Sequence, residues 1–566
     1  VTFLVQQPPN AIATASLRPS IADDPALGLP RTVKLQILGA VLLALFLGAL
    51  DQTVVGTALP RIVTDLGGNG LYTWVVTAYL LTSTISIPFW GKLSDIYGRR
   101  PLLMIGIGVF LVGSAAAGLS QEMWQLIALR ALQGIGAGSL FPISLSVIGD
   151  LFAPAERGRY QGLFGAVFGA ALLVGPAIGG YLTDQISWHW VFYVNLPVGL
   201  ASLYVIGRLL PGGRRRGPGA LNLDVLGGAF FAIGIGLLLI GLTNLSSGAW
   251  TDPSVAGPMA AGLAVTALFV LAETRAAEPI VPLRLWRDRT YAASLLAMFF
   301  VSAGFYAAMI FLPRWFQVVR GESATASGYL MFPFLVGVIA ASVTTGQIIA
   351  RTGRYKPFIL TGIILMAIGL ALLTGLRATT DLRLLWMWMF ITGLGVGPSL
   401  AAFTIVVQNT VPFESLGVAT SNLTFFRQIG GSVGLSVAGS IFTSSLARDV
   451  VPSLVQSGVP ASVAHEAGRL GLGGSVDLTG AGIDLAAQLA SVLPSPALPY
   501  IDTIVRGLHA AVSQAVDAAF FVGLVGAAAA LVAALALREL PLRGRPTVPP
   551  PRHAAGVPSE PSLAAE

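Results

Sequence analysis

Apolar runs of about twenty residues, separated by short polar turns, recur along almost the whole chain. A helix that crosses hydrocarbon needs roughly 20 such residues. Fourteen spans can be placed, at about 36–59, 71–91, 101–119, 124–149, 160–182, 188–209, 222–243, 255–275, 290–313, 325–349, 357–376, 383–407, 417–443 and 515–538. The pattern predicts an all-α polytopic membrane protein with 14 transmembrane helices. Residues 1–33 and 541–566, rich in Pro, Ala and Ser, read as disordered tails. A long loop is expected at 448–512, with AHEAGRL and DLAAQLASVL as possible short amphipathic helices capping the surface.

An even number of spans puts both termini on one side. Arg99, Arg100, Arg214, Arg215, Arg216, Arg351 and Arg354 then fall in loops of that same side. The excess of basic residues assigns it to the cytoplasm. Arg outnumbers Lys 30 to 3, a bias expected of a GC-rich bacterial genome, so the membrane expected is a bacterial cell (inner) membrane. The first span is too long for a secretory h-region, lacks a cleavage site and reads as a permanent helix.

Composition agrees with the pattern. Of 566 residues 54% are hydrophobic and 10% charged, against roughly 25% charged in a soluble domain. The net charge of +7 resides mostly in loops between spans and does not point to nucleic acid. With no cysteine there is no disulfide and no thiol chemistry. His189, His465, His509 and His553 all lie outside the depth of the spans. No metal-ligand spacing, nucleotide loop or Ser–His–Asp arrangement appears, so no enzyme, metal or cofactor is expected.

The chain also repeats itself. GKLSDIYGRRP (91–101) returns as GQIIARTGRYKP (346–357), QGIGAG (133–138) as TGLGVG (392–397), and PAERGR (154–159) as PFESLG (412–417). Duplicated units are how secondary transporters are built. The offset predicts a first six-helix bundle at 34–210, a linker with two inserted helices at 211–289, and a second six-helix bundle at 290–540.

Asp51 stands alone as an acid well inside an apolar span. A carboxylate at that depth costs roughly 3 kcal/mol, which marks it as a proton, ion or substrate site. At 1.5 Å per residue Asp51 lies about 15 Å deep, Arg130 about 12 Å and Gln133 about 16 Å. An Asp51–Arg130 pair, direct or bridged by Gln133, is therefore open. Burial disfavours a charged carboxyl and a guanidinium favours it. A group alternating between such surroundings can take up a proton on one side and release it on the other. Arg130 as a purely structural partner is the alternative.

The set LDQTVVGTALP (50–60), GKLSDIYGRRP (91–101), LIALRALQGIGAG (126–138), GPAIGGYL (175–182), WHWVFYVNLPVG (188–199) and FRQIGG (426–431) resembles the major facilitator superfamily, and within it the fourteen-span drug:proton antiporters. The resemblance covers about 36–540. One departure is Gly56, where that family often has Asn. The resemblance implies a proton-driven exporter of lipophilic, cationic compounds that alternates access between two bundles. An exporter or flippase of a lipid or self-made metabolite, and a membrane sensor that transports nothing, are the other readings. The expected partners are lipophilic small molecules, protons and the bilayer, with the chain acting as a monomer.

Spans 1 and 4 face a central cavity in that family. Its expected walls here are Gln52, Trp74, Tyr79, Phe305, Tyr306, Phe332, Asn422 and Arg427. Arg427 can meet an anionic group or a backbone carbonyl, or snorkel to the surface. A conformational gate is expected from Gly91, Asp95, Gly98, Arg99 and Arg100. There Asp95 and Arg99 can pair with each other and with helix ends of the second bundle. Gly175, Pro176, Gly179 and Gly180 mark the span typical of exporters, through close packing and a loosened backbone.

Overall fold

The computed structural model describes residues 28–66, 71–212, 224–245, 248–276, 278–469, 486, 489 and 495–542. Most of the expected tails, the arginines Arg214–Arg216 and most of the DLAAQLASVL segment lie outside the described residues.

The described residues form helices and no strand. In the first half these are α1 (Arg31–Leu66), α2 (Tyr72–Tyr97), α3 (Arg99–Ala117), α4 (Met123–Leu151), α5 (Pro154–Gln161), α6 (Leu163–Gln185), α7 (Trp190–Tyr193) and α8 (Asn195–Leu209). Next come α9 (Val225–Asn244) and α10 (Pro253–Arg275). The rest are α11 (Arg289–Arg320), α12 (Ala324–Leu330), α13 (Phe332–Thr352), α14 (Lys356–Leu373), α15 (Leu382–Thr410), α16 (Leu416–Gln456), α17 (Ala461–Arg469) and α18 (Ile501–Leu535). Each of the fourteen expected spans falls on helix, and thirteen helical segments are long and apolar enough to cross a membrane. The remaining one, α2, is threaded with Thr77, Thr82, Ser83, Thr84 and Ser86, which lower its hydropathy.

Those hydroxyls pack the helix. Lipid tails are as apolar as Leu, so helices in a bilayer associate through close contact and polar groups rather than through hydrophobic burial. Thr82 donates to the Ala131 carbonyl of α4 at 2.8 Å and Ser86 to Ile135 at 3.3 Å. The glycines of QGIGAG make this approach possible. A Cβ on Gly134 would stand 2.2 Å from Thr82 Oγ1, and one on Gly138 2.1 Å from Ser86 Oγ. Gly136, on the opposite face of α4, receives α3, where a Cβ would lie 2.4 Å from the Phe110 nitrogen.

The second copy of the motif packs the same way. Gly393 and Gly397 of α15 meet the α13 backbone at Phe334 and Val338, and Gly395 between them meets α14 at Met366. Thus α13, α14 and α15 repeat α2, α3 and α4. The turn that joins the first two helices repeats as well: Gly98 has φ 95° and Gly353 φ 76°, a region other residues rarely adopt.

Between the halves, α9 and α10 pack on each other, and α9 leans on α2 and α16. Phe231 of α9 carries that contact, with ring centroids 5.9 Å from Phe89 and 5.2 Å from Phe425.

The expected loop 448–512 is corrected at both ends. Helix α16 continues to Gln456, α17 covers Ala461–Arg469, and α18 begins at Ile501. Val450 and Leu454 bury with Ile504 and Leu508, so α16 and α18 continue to pair beyond the bilayer-length stretch. At 41 residues α16 is about 62 Å long, twice the roughly 30 Å of hydrocarbon. Counting bilayer thickness alone therefore ended these helices too early.

Candidate functional site

Asp51 lies midway along α1 with no exposed surface, and α4 and α8 supply its partners. Arg130 Nη1 donates to Asp51 Oδ2 at 2.6 Å. Gln133 Nε2 and Asn195 Nδ2 donate to Asp51 Oδ1 at 2.8 and 2.9 Å. Gln133 also accepts from Arg130 Nη1 at 2.8 Å, so its amide bridges both charges. The Arg130 guanidinium lies 4.1 Å above the Tyr79 ring, and its Nε points at the Val75 carbonyl at 3.4 Å. Asn195 donates further to Ser114 Oγ at 3.0 Å, and Ser114 to the Phe192 carbonyl at 2.8 Å.

This cluster can stabilise two states of one carboxyl. Ionised, Asp51 accepts three hydrogen bonds and faces a guanidinium. Protonated, it holds an O–H that needs an acceptor. Asn195 Oδ1, buried and without a partner, becomes that acceptor when its amide turns over. Asn195→Leu is expected to lower the melting temperature in detergent. The loss corresponds to about 1.5–3 kcal/mol, the range for a hydrogen bond to a charged group. A double-mutant cycle with Asp51→Asn should show non-additivity, and purely additive costs would break the link.

A second constellation joins the two halves at the end that carries Arg99, Arg100, Arg351 and Arg354. Asp95 Oδ1 pairs with Arg99 Nη1 at 2.6 Å, and Arg99 Nε pairs with Asp150 Oδ2 at 3.0 Å. The Asp95 carboxylate then crosses to the second half. It accepts from the backbone nitrogens of Gly417 at 2.9 Å and Val418 at 2.7 Å, the first turn of α16. An anion at a helix N-terminus satisfies free N–H groups and the helix dipole together. A Cβ on Gly417 would stand 2.5 Å from Asp95 Oδ1, and one on Gly91 2.1 Å from Ser421 Oγ. Beside this contact Gln161 donates to Gln408 across the halves at 2.7 Å. The backbones of Gly158 and Gly346 also touch there. Arg100 points elsewhere, to the Gly207 carbonyl of its own half.

Helix α6 has two faces. Gly175 and Gly179 press on α1, where a Cβ would lie 1.9 Å from Thr53 Oγ1 or 2.2 Å from Thr57 Oγ1. Pro176 and Gly180 look more loosely toward α12: a Cβ on Gly180 would lie 3.4 Å from Thr325 Oγ1, and one on Gly328 3.5 Å from Pro176 Cγ. Gly179→Val is expected to cost about 1–3 kcal/mol of stability by overpacking, seen as a lower melting temperature, whereas Gly180→Ala should match the wild type. Equal shifts for both would refute this assignment of faces.

Between the halves lies a narrow cavity lined by Gln52, Phe141, Phe164, Phe168, Phe305, Tyr306, Leu400, Arg427 and Gln428. Of the expected cavity residues, Gln52, Phe305, Tyr306 and Arg427 are therefore brought together. The other four stand elsewhere. Tyr79 is buried under Arg130. Asn422 is buried and donates to Tyr291 Oη at 2.9 Å. Trp74 and Phe332 are exposed large hydrophobics near the starts of α2 and α13.

Asp51 itself does not line the cavity, although its neighbour Gln52 does. On a helix, adjacent residues point about 100° apart, so the acid turns into the first half and the amide into the gap. Asn195, Ser114 and Asp150 complete the two polar clusters without having stood out as charges deep in a span. Asn195 sits in WHWVFYVNLPVG as the one polar side chain between Tyr193 and Leu196, which was its available signal.

Comparison with known proteins adds the family. Residues 41–435 match the model of the Major Facilitator Superfamily. The chain is 36% identical over 520 residues to the Multidrug transporter protein MdtP of Bacillus subtilis (strain 168), covering 90% of this chain and 94% of that one. It is 34% identical over 414 residues to Multidrug resistance protein 3 of the same organism, covering 73% and 80%. Among solved structures, a bacterial homologue of the human lysosomal transporter Spinster, inward-facing and unoccupied, superposes with a TM-score of 0.54. It is 16% identical and covers 90% of this chain and 98% of that one. That likeness concerns the fold.

Proposed function

The chain belongs to the major facilitator superfamily, and from that premise we propose that it is a proton-coupled exporter of lipophilic compounds working by alternating access. The observation that carries the proton coupling is the sealed cluster in which Asp51 meets Arg130, Gln133 and Asn195. A carboxyl held at membrane depth against a cation and two turnable amides is poised to gain and lose a proton without leaving the protein.

The coupling is mechanical rather than competitive. Asp51 lies outside the cavity wall, so a cargo and a proton do not contend for it in this arrangement. Protonation removes the charge that holds Arg130 and loosens α1 from α4. Helix α1 also carries Gln52 into the cavity and Thr53 onto α6. A change at Asp51 thus reaches both the cargo and the helix that faces the second half.

The protein sits in a bacterial cell membrane with its basic end and both termini in the cytoplasm, and acts as a monomer driven by the proton gradient without a cofactor. The latch from Asp95 to α16 then closes the cytoplasmic side. Purified protein in proteoliposomes tests the reading: an imposed pH gradient should drive a lipophilic fluorescent probe uphill, with protons moving the opposite way. A folded protein that moves no probe, or moves it without any proton flux, would refute it.

A further inference from the structure

We propose that the cargo of this exporter is an anionic amphiphile, an aromatic or alkyl body with one carboxylate, sulfonate or phosphate group, and that Arg427 receives the acid group; the inference rests on the exporter reading above. The cavity between the halves has one fixed charge on its walls, Arg427, and no carboxylate. Arg427 stands eleven residues into α16, which begins at Leu416, or about 16 Å from that helix end. Snorkelling to the surface is out of reach at such depth.

Among the described residues no ion pair joins Arg427 to an acid. Its guanidinium instead lies over the rings of Phe164 and Phe141, with the centroids 4.8 and 5.4 Å away. Such stacking recovers part of what removal from water costs a cation and leaves the rest uncompensated. Among the described residues no hydrogen bond or ion pair engages the Arg427 N–H groups, which can grip a planar acid through two parallel hydrogen bonds. In this closed arrangement the cavity offers only about 20 Å³, so the ligand enters as the halves part; Phe168, Phe305 and Tyr306 then supply apolar surface for its body, and Gln52 and Gln428 further polar contacts.

A cationic cargo finds the opposite of what it needs here. The nearby acid, Asp51, has no exposure and is committed to three donors inside the first half. Arg427 already lies over Phe141 and Phe164, and its charge repels a second cation from the remaining rings of the cavity.

Charge accounting makes the proposal testable. Exchange of one proton inward for one monoanion outward moves two positive charges inward per cycle, whereas exchange for a monocation moves none. An inside-negative membrane potential alone should therefore drive export of the anion. Proteoliposomes given a potassium potential with valinomycin and no pH difference would be loaded with 1-anilinonaphthalene-8-sulfonate or with tetraphenylphosphonium. The potential should accelerate sulfonate exit through the wild type. Arg427→Gln should raise the KM for the sulfonate at least about tenfold, and Arg427→Lys should recover part of that loss. Melting temperature and gel filtration would confirm that each variant is folded. Transport of the phosphonium but not the sulfonate, or an unchanged sulfonate KM in folded Arg427→Gln, would overturn the proposal and leave the exporter reading standing. If neither ion is moved by folded wild type, both fall.

Discussion

Asp51→Asn is expected to abolish uphill export driven by a pH gradient, by at least about a hundredfold, while downhill exchange of the same probe continues. The substitution preserves shape and removes the one group in the cluster able to take and release a proton. An amide oxygen can still accept from Arg130, but its NH2 meets the Nε2 donors of Gln133 and Nδ2 of Asn195, so these amides must turn over to present oxygens. The cost is that Arg130 loses its counter-charge while buried, and breaking a buried pair in this way typically destabilises by about 3–5 kcal/mol. The measurement therefore includes melting temperature in detergent and downhill exchange beside uphill transport. Uphill export at the wild-type rate by the Asn variant would show that the coupling proton binds elsewhere.

The same cluster shows what a sequence can and cannot carry. Asp51, Arg130 and Gln133 were legible because charge inside an apolar run is costly, and helical rise places all three at one depth. Asn195 was not, because a neutral amide near a helix start has many ordinary explanations. Its importance comes from α8 packing along α1, as the bond from Ser202 to the Ala40 carbonyl shows. The repeated glycine motifs were legible as a duplication. That Gly134 and Gly138 serve one neighbour and Gly136 the other needed three helices in place.

The cavity was the least legible part. Trp74 and Phe332 are aromatic and near the correct spans, but a helix has a lipid side, and sequence without a partner does not say which side that is. Apolar residues face lipid and protein alike in a membrane, so hydrophobic periodicity loses the meaning it has in water. Helix ends suffer likewise. The expected loop 448–512 became largely helix wherever its residues are described, because α16 and α18 pair beyond the thickness used to delimit them.

Asp95→Asn is expected to shift the protein from the form closed at the basic end toward the form open there, by about 20- to 1000-fold in population. The carboxylate spans the two halves, receiving Arg99 from one and the Gly417 and Val418 nitrogens from the other. An asparagine keeps one acceptor oxygen and turns an NH2 group toward donors. The loss combines a charge-assisted hydrogen bond, about 1.5–3 kcal/mol, with a helix-dipole contribution of about 0.3–1 kcal/mol. These contacts exist only while the halves are together at this end. Their loss therefore falls on one state, which is the condition for a shift in population rather than a uniform destabilisation. The chain contains no cysteine, so single cysteines report accessibility directly. Ser421→Cys, packed against Gly91 in the closed interface, should label faster in the Asp95→Asn background, and Trp74→Cys near the start of α2 should label more slowly. Arg99→Gln should shift the equilibrium the same way and cost more stability, since it leaves Asp95 and Asp150 as two buried carboxylates without the cation between them. Unchanged labelling at both positions would mean that the capped helix is a packing detail, and that the two halves are held together at this end by the glycine contacts and the Gln161–Gln408 bond instead.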